Sequence, residues 1–167
     1  FRGTAISNFQ ESFIESGITH GLVCVKENQS TGIKWYAGTY GNNTQAKGDG
    51  PFAGRANTAI IIVAHLIIGD DGSTYAARVC NELQITGGGI TYGDWYLPSK
   101  QELNLIYTNK GTINTTAGGN GANLNVSVYW SSKEVDSNNA WVRDTSDGSH
   151  SYYNKTTPLN VRAVRAF

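Results

Sequence analysis

The stretch that most restricts what this chain can fold into runs from Tyr129 to Phe167, YWSSKEVDSNNAWVRDTSDGSHSYYNKTTPLNVRAVRAF. Short apolar runs alternate with turns rich in Asn, Asp, Ser and Gly, the pattern of antiparallel strands joined by exposed loops. Strands are expected over 128–131, 140–143, 149–154 and 160–167, with turns at 137–139, 146–148 and 155–158. A strand-like VRAVRAF at the C-terminus is expected to be pinned in a sheet, because free ends fray.

The rest of the chain reads as a platform under that segment. Leu22–Val25 and Ile33–Tyr36 are strand candidates, with Trp35 and Tyr36 as core or rim aromatics. His20, just before the first of them, reads as a strand-end hydrogen-bonding residue. Arg55–Ile68 is nearly continuous in apolar side chains and predicts a helix buried on most sides. Thr74–Leu83 predicts a second helix, capped by Asp71 or Ser73, with Ala76, Val79, Cys80 and Leu83 on one stripe. Ser99, three residues before Glu102, forms a capping box, so Ser99–Tyr107 reads as a third helix with Leu103 and Ile106 or Tyr107 facing inward. The stretches 37–54, 85–94 and 108–126 are rich in Gly, Asn and Thr and read as loops. The expectation is one α+β domain over 17–167. Before it lies a lead-in at 1–16, where Phe9, Phe13 and Ile14 share a face suited to an oligomer junction.

Bulk composition removes several function classes. Lys plus Arg and Asp plus Glu both number 13 among 167 residues, so the net charge is zero and no general nucleic-acid binder is indicated. The longest apolar run, Ala59–Ile68, carries His65 and falls well short of the ~20 residues of a membrane span. Met is absent, so the chain reads as a piece of something longer. Cys24 and Cys80 fit either two buried thiols or one long-range disulfide, and their spacing fits no zinc motif. His20, His65 and His150 form no sequence cluster that would signal catalysis, and no phosphate loop follows the Gly48–Gly50 run.

Taken together, GDWYLPSKQELNLIY at 93–107, YWSSKE at 129–134, NNAWV at 138–142, the DG pair at 147–148 and the terminal VRAVRAF resemble one family in order and spacing. It is the C-terminal domain family of the Legionella collagen-like (Lcl) adhesins. The resemblance implies a C-type-lectin-like fold, with helices packed on a small, mixed or antiparallel, loop-rich sheet. It further implies an extracellular, non-enzymatic adhesin domain of the bacterial cell surface. Such a domain forms a homotrimer behind a collagen-like region and attaches to sulphated glycosaminoglycans of the heparin and chondroitin sulphate kind; the family is also linked to host attachment and biofilm. A collagen triple helix needs three chains, which agrees with a trimer. The Glu-Pro-Asn, Gln-Pro-Asp and Trp-Asn-Asp triplets of calcium-dependent lectins are absent.

A sulphated polysaccharide needs Arg and Lys for its anions, with amides and rings for its sugars. On that chemistry the candidate ligand-binding residues are Lys100, Lys133, Asn138, Arg143, His150, Tyr152, Tyr153, Lys155 and Arg162. Lys133, Lys155 and Lys100 read as the most solvent-facing, and Arg165 as structural. Arg143 shares a strand face with Trp141 and has Asp144 or Glu134 as alternative partners. No cofactor is expected; a divalent cation on Glu134, Asp136, Asp144 and Asp147, with the neighbouring Asn residues, is the weaker reading, since their spacing lacks the order of an EF-hand loop. The competing function is a lectin-like module that recognises a protein receptor, as in a phage tail or variable surface protein. The polar, Tyr-rich surface of 136–157 suits that equally.

Overall fold

The computed structural model describes residues 9–11, 21–38, 42–68, 71–118 and 124–167. Most of the 1–16 lead-in, and His20, lie outside the described residues; of the lead-in, only the backbone of a short strand β1 (Phe9–Glu11) is described.

Strand β2 (Leu22–Val25) explains its own sequence. Val23 and Val25 point into one hydrophobic cluster, while Leu22 and Cys24 point into another. A strand buried on both faces needs an unbroken apolar run, and LVCV is one. It is flanked by β1 and by β10 (Val164–Ala166), both antiparallel, in a three-stranded sheet. The C-terminal residue closes that sheet: Gly21 and Phe167 exchange two backbone hydrogen bonds of 3.0 Å each. The expected pinning of the terminal strand is therefore met.

The larger sheet has five strands in the order β3 (Ser30–Ile33), β9 (Leu159–Val161), β6 (Val128–Glu134), β7 (Asn139–Asp144) and β8 (His150–Asn154). The β6–β9 pair is parallel and the others are antiparallel. Strand β6 is buried on both sides. Tyr129 enters the second cluster and Trp130 the first. Ser131 and Ser132 follow without exposure because each is bonded: the Ser131 hydroxyl donates to Trp141 O at 2.9 Å, and Ser132 Oγ accepts from Asn57 at 3.2 Å.

Two helix layers cover these sheets. Helix α1 (Ala53–Ile68) and the short α2 (Ala76–Asn81) pack on the first cluster, with Ile61, Ala76 and Cys80 beside Trp35 and Trp130. Helix α3 (Lys100–Thr108) and α4 (Lys110–Gly118) bring Leu103, Ile106 and Ile113 to the second. The capping box forms as expected, and Glu102 does more than close it. Its carboxylate also accepts from Phe52 N at 2.7 Å and from Tyr96 Oη at 3.0 Å, tying the start of α1 to the start of α3. Burial pushes the Glu102 carboxyl above its ordinary range despite those donors.

The structure departs from the sequence reading in several places. The second strand lies at Ser30–Ile33 rather than 33–36; Trp35 and Tyr36 follow it as buried loop residues. The N-cap of α2 is Tyr75, with no side-chain cap, so neither Asp71 nor Ser73 plays that part. Residues 85–94 contain a hairpin, β4 (Ile85–Gly87) and β5 (Ile90–Tyr92), turned by Gly88 at φ 58° and Gly89 at φ 81°. Two consecutive positive φ angles make the primed turn that matches strand twist. Part of the supposed 108–126 loop is helix α4, which buries Ile113 although its Thr and Gly residues are poor helix formers. Helix α1 is not buried on most sides: Val63, Leu66 and Ile67 are 57%, 81% and 86% exposed. Its His65 is structural, accepting from Ala37 N at 3.1 Å and stacked 3.9 Å from the Tyr75 ring.

Candidate functional site

Strand β7 sends Ala140 and Val142 into the core, and by alternation Asn139, Trp141 and Arg143 to the other face. Helix α3 crosses that face. Lys100, in its first turn, places Nζ 4.0 Å from the Trp141 ring centroid. Tyr107, two turns later, lies under the Arg143 guanidinium at 4.4 Å. Lys110, three residues on, holds Nζ 4.7 Å from the same Tyr107 ring and donates to Thr145 O at 2.9 Å. The neighbouring strand completes the row, because β8 pairs Tyr152 with Trp141 and His150 with Arg143. The Trp141 and Tyr152 rings meet edge to face at 6.0 Å.

The electrostatics of this row are unusual for a chain of zero net charge. Among the described residues, no carboxylate lies within ion-pair distance of Lys100, Lys110 or Arg143. The three cations rest on rings instead. Arg143 is 6% exposed, and its Nε has no hydrogen-bond partner, a costly state for a buried donor. Its Nη1 contacts His150 Nε2. A guanidinium only donates, so that ring nitrogen must be the acceptor and the imidazole neutral. Burial lowers the His150 pKa, and the Arg143 and Lys100 charges lower it further, with Asp49 opposing.

Of the nine residues expected to bind, the structure thus brings four together: Lys100, Arg143, His150 and Tyr152. Tyr153 is exposed but takes the other face of β8. Asn138 lies in the β6–β7 turn, its N–H bonded to Asp136 at 2.7 Å. Lys133 is not a free surface cation; it pairs with Asp49 at 2.9 Å, and Asp49 also caps Gln101 N at 2.9 Å.

Lys155 and Arg162 are corrections. Lys155 is fully buried, with Nζ 2.6 Å from Glu134 and 3.1 Å from Ser137 O. Arg162 is also buried, giving Nη1 to Val25 O at 2.6 Å and Nε to Asn28 at 3.0 Å. Both cations are consumed by the fold because each meets a buried acceptor. Arg165, read as structural, pairs with Asp94 and lies 4.7 Å from the Tyr92 ring.

Trp141, Tyr107 and Lys110 belong to the row but were not singled out as binding residues. The signals were present: Trp141 and Arg143 are two apart on a strand, and Tyr107 and Lys110 are three apart at a helix junction. What no spacing reveals is that α3 is laid across β7.

The acids of the terminal segment serve turns. Asp136 accepts from the backbone N–H groups of Asn138 and Asn139, Asp144 from Ser146 and Asp147 from Ser149. Among the described residues, no three His, Cys, Asp or Glu side chains are grouped to hold a metal ion. Cys24 and Cys80 are both free thiols, buried in different clusters, so the disulfide alternative is not realised. Burial pushes both thiol pKa values up, which keeps them protonated and unreactive.

Residues 24–165 match the sequence model of the Lcl C-terminal domain. The chain belongs to that family. Among solved structures, a fimbrial protein from Bacteroides ovatus ATCC 8483 superposes with a TM-score of 0.57 at 18% identity. The match covers 86% of this chain and 35% of that protein, so the Lcl C-terminal domain spans about a third of its length. At that identity the likeness is one of fold. No curated protein matches the chain. The helix-and-sheet architecture is mixed, as expected, and among the described residues no helix is long and apolar enough to cross a membrane.

Proposed function

We propose that this domain is a non-catalytic attachment module of a bacterial surface protein, with a C-type-lectin-like fold. It binds sulphated glycosaminoglycans, of the heparin or chondroitin sulphate kind, through the row formed by Lys100, Arg143, Lys110 and His150. A homotrimer presents three such rows to one polysaccharide chain. The observation that carries this reading is that three cations lie on aromatic rings with no carboxylate of the described residues in ion-pair range. A cation already paired to a carboxylate must give up that partner to bind a sulphate. A cation on a ring keeps its hydrogen-bond donors and most of its field. Trp141 and Tyr152 supply apolar edges for the sugar backbone, and repetition over three copies raises avidity without new contacts.

The test is retention on immobilised heparin as a function of salt. Retention that falls steeply with ionic strength, and that drops in a Lys100→Ala, Lys110→Ala double variant, is expected. Salt-insensitive retention, or none, overturns the reading and favours recognition of a protein by the exposed Tyr152 and Tyr153.

A further inference from the structure

Among the described residues, the exposed side of α1 gathers a run of large apolar side chains. Ala56, Ala59, Ile60, Val63, Leu66 and Ile67 lie on it, and the buried side, with Asn57, Thr58, Ile61 and His65, holds the helix to the core. After Arg55 the helix carries no Asp, Glu, Lys or Arg. Between this helix and the 43–44 loop runs a groove of about 470 Å³, lined by Thr44, Ala59, Ile60, Val63 and Ile67. Phe52, also exposed, extends the surface at the N-terminal end. Contiguous apolar surface on this scale is uncommon on a soluble monomer and marks a contact.

We infer that this face of α1 is where copies of this chain pack on one another. The spacing argues for a helix as the facing element. Positions 56, 60, 63 and 67 step by four, three and four residues, the a/d alternation of a helix-to-helix seam. Charge argues for an identical partner. When a face meets its own copy, any charge on it meets a like charge, and this face has none. A partner selected by charge finds nothing here to read. A lipid surface is disfavoured on the same grounds, because interfacial helices flank their apolar face with Lys and Arg. The other side of α1 is occupied by the core. The row of Lys100, Lys110 and Arg143 lies on α3, α4 and β7, and none of its residues belongs to the seam.

This inference rests on the self-association proposed above and names the surface responsible. The experiment is light-scattering mass measurement across a concentration series, with heparin retention measured on the same samples. The native chain is expected at a multiple of its 18.0 kDa. Val63→Glu is expected to run as a monomer with an unchanged circular dichroism spectrum and weaker heparin retention through lost avidity. Ile67→Gln, a milder change at a more exposed seam position, covers the case in which the glutamate disturbs folding. Variants that keep the native mass overturn the α1 seam alone. A native chain that is monomeric up to about 100 μM, far above the ~1 μM scale of a weak specific association, overturns both the seam and the trimer. The polysaccharide reading survives that result if salt-dependent retention persists.

Discussion

Lys155 and Lys100 sit beside the same sheet, and each lies over a tryptophan, yet they do opposite things. Lys155 Nζ is 4.8 Å from the Trp35 ring and 2.6 Å from the Glu134 carboxylate. Lys100 Nζ is 4.0 Å from Trp141 and, among the described residues, has no carboxylate in ion-pair range. In the first case the ring and the acid enclose the ammonium, and the carboxylate is bonded further by Thr44 N at 2.7 Å and Gln45 N at 3.1 Å. In the second the ammonium rests on the ring alone, and no carboxylate among the described residues closes over it. A carboxylate partner turns a lysine into part of the frame, and a ring alone leaves it available to a ligand.

The largest effect should come from breaking the enclosed pair. Lys155→Ala leaves the buried Glu134 carboxylate with the half-exposed Lys47 at 3.3 Å as its remaining ion-pair partner, and a loss of about 3 kcal/mol, the low end for breaking a buried pair, is expected, read by denaturant unfolding. Lys155→Met combined with Glu134→Gln removes both charges and should be much milder. If the single and double variants cost the same, the pair is not a coupled unit.

The same carboxylate sets an acid limit. Burial, the largest influence on Glu134, raises its pKa, but the bonds from Lys155 and Thr44 outweigh it and leave the group below the ordinary glutamate range. A carboxyl with a depressed folded-state pKa stabilises the protein above its unfolded value, near ~4.3, and loses that contribution as pH falls through the folded value. The melting temperature should therefore drop on acidification below about pH 4.5. Glu134→Gln should start lower at neutral pH and fall less.

Next in size is Gly148→Ala, aimed at the open set of cations. Gly148 has φ of 80°, and an added Cβ would lie 2.4 Å from the Tyr107 ring. The backbone strain alone is worth about 1–3 kcal/mol. The displaced ring is the one that carries both Arg143 and Lys110, so heparin retention should fall together with stability. Gly72→Ala, at the same φ but with nothing within 4 Å of its Cβ, should lose stability alone.

These contrasts also show how far the residues themselves lead. The frame was readable where one local rule decides: the capping box at Ser99, the doubly buried LVCV, and YWSS between two clusters. It was not readable where tertiary packing overrides propensity, as in α4, whose weak formers are held by buried Ile113, or in the three-glycine hairpin. At the site, residue type identified the cations but not their fates. Lys133, Lys155 and Arg162 look like Lys100 in sequence, and only the fold sets Asp49, Glu134 and Val25 O beside them. The exposed side of α1 was missed because a continuous apolar run reads as core whether its second face meets the same chain or another copy.

Removing the open lysines should cost little stability. Lys100→Ala and Lys110→Ala each give up a surface cation–ring contact, about 0.5–1 kcal/mol, while heparin retention should drop clearly. Retention unchanged in both would place the ligand elsewhere and undo the contrast between the two lysines.

The smallest effect, and the sharpest on mechanism, concerns His150. It is neutral because burial and the Arg143 and Lys100 charges hold its pKa below the usual ~6.5. Asp49 and Asp147 are the nearby opposing charges; Asp49 is already engaged by Lys133, and Asp147 bonds Ser149. A sulphate bound beside His150 would offset the Arg143 and Lys100 charges and raise that pKa, so binding and protonation should favour each other. Heparin retention is then expected to strengthen modestly as pH falls below the ordinary histidine value of ~6.5, because the free-state pKa lies beneath it. His150→Ala should flatten the rise while leaving retention at pH 7.5 close to native. A rise that persists in that variant would assign the proton to another group and remove His150 from the row.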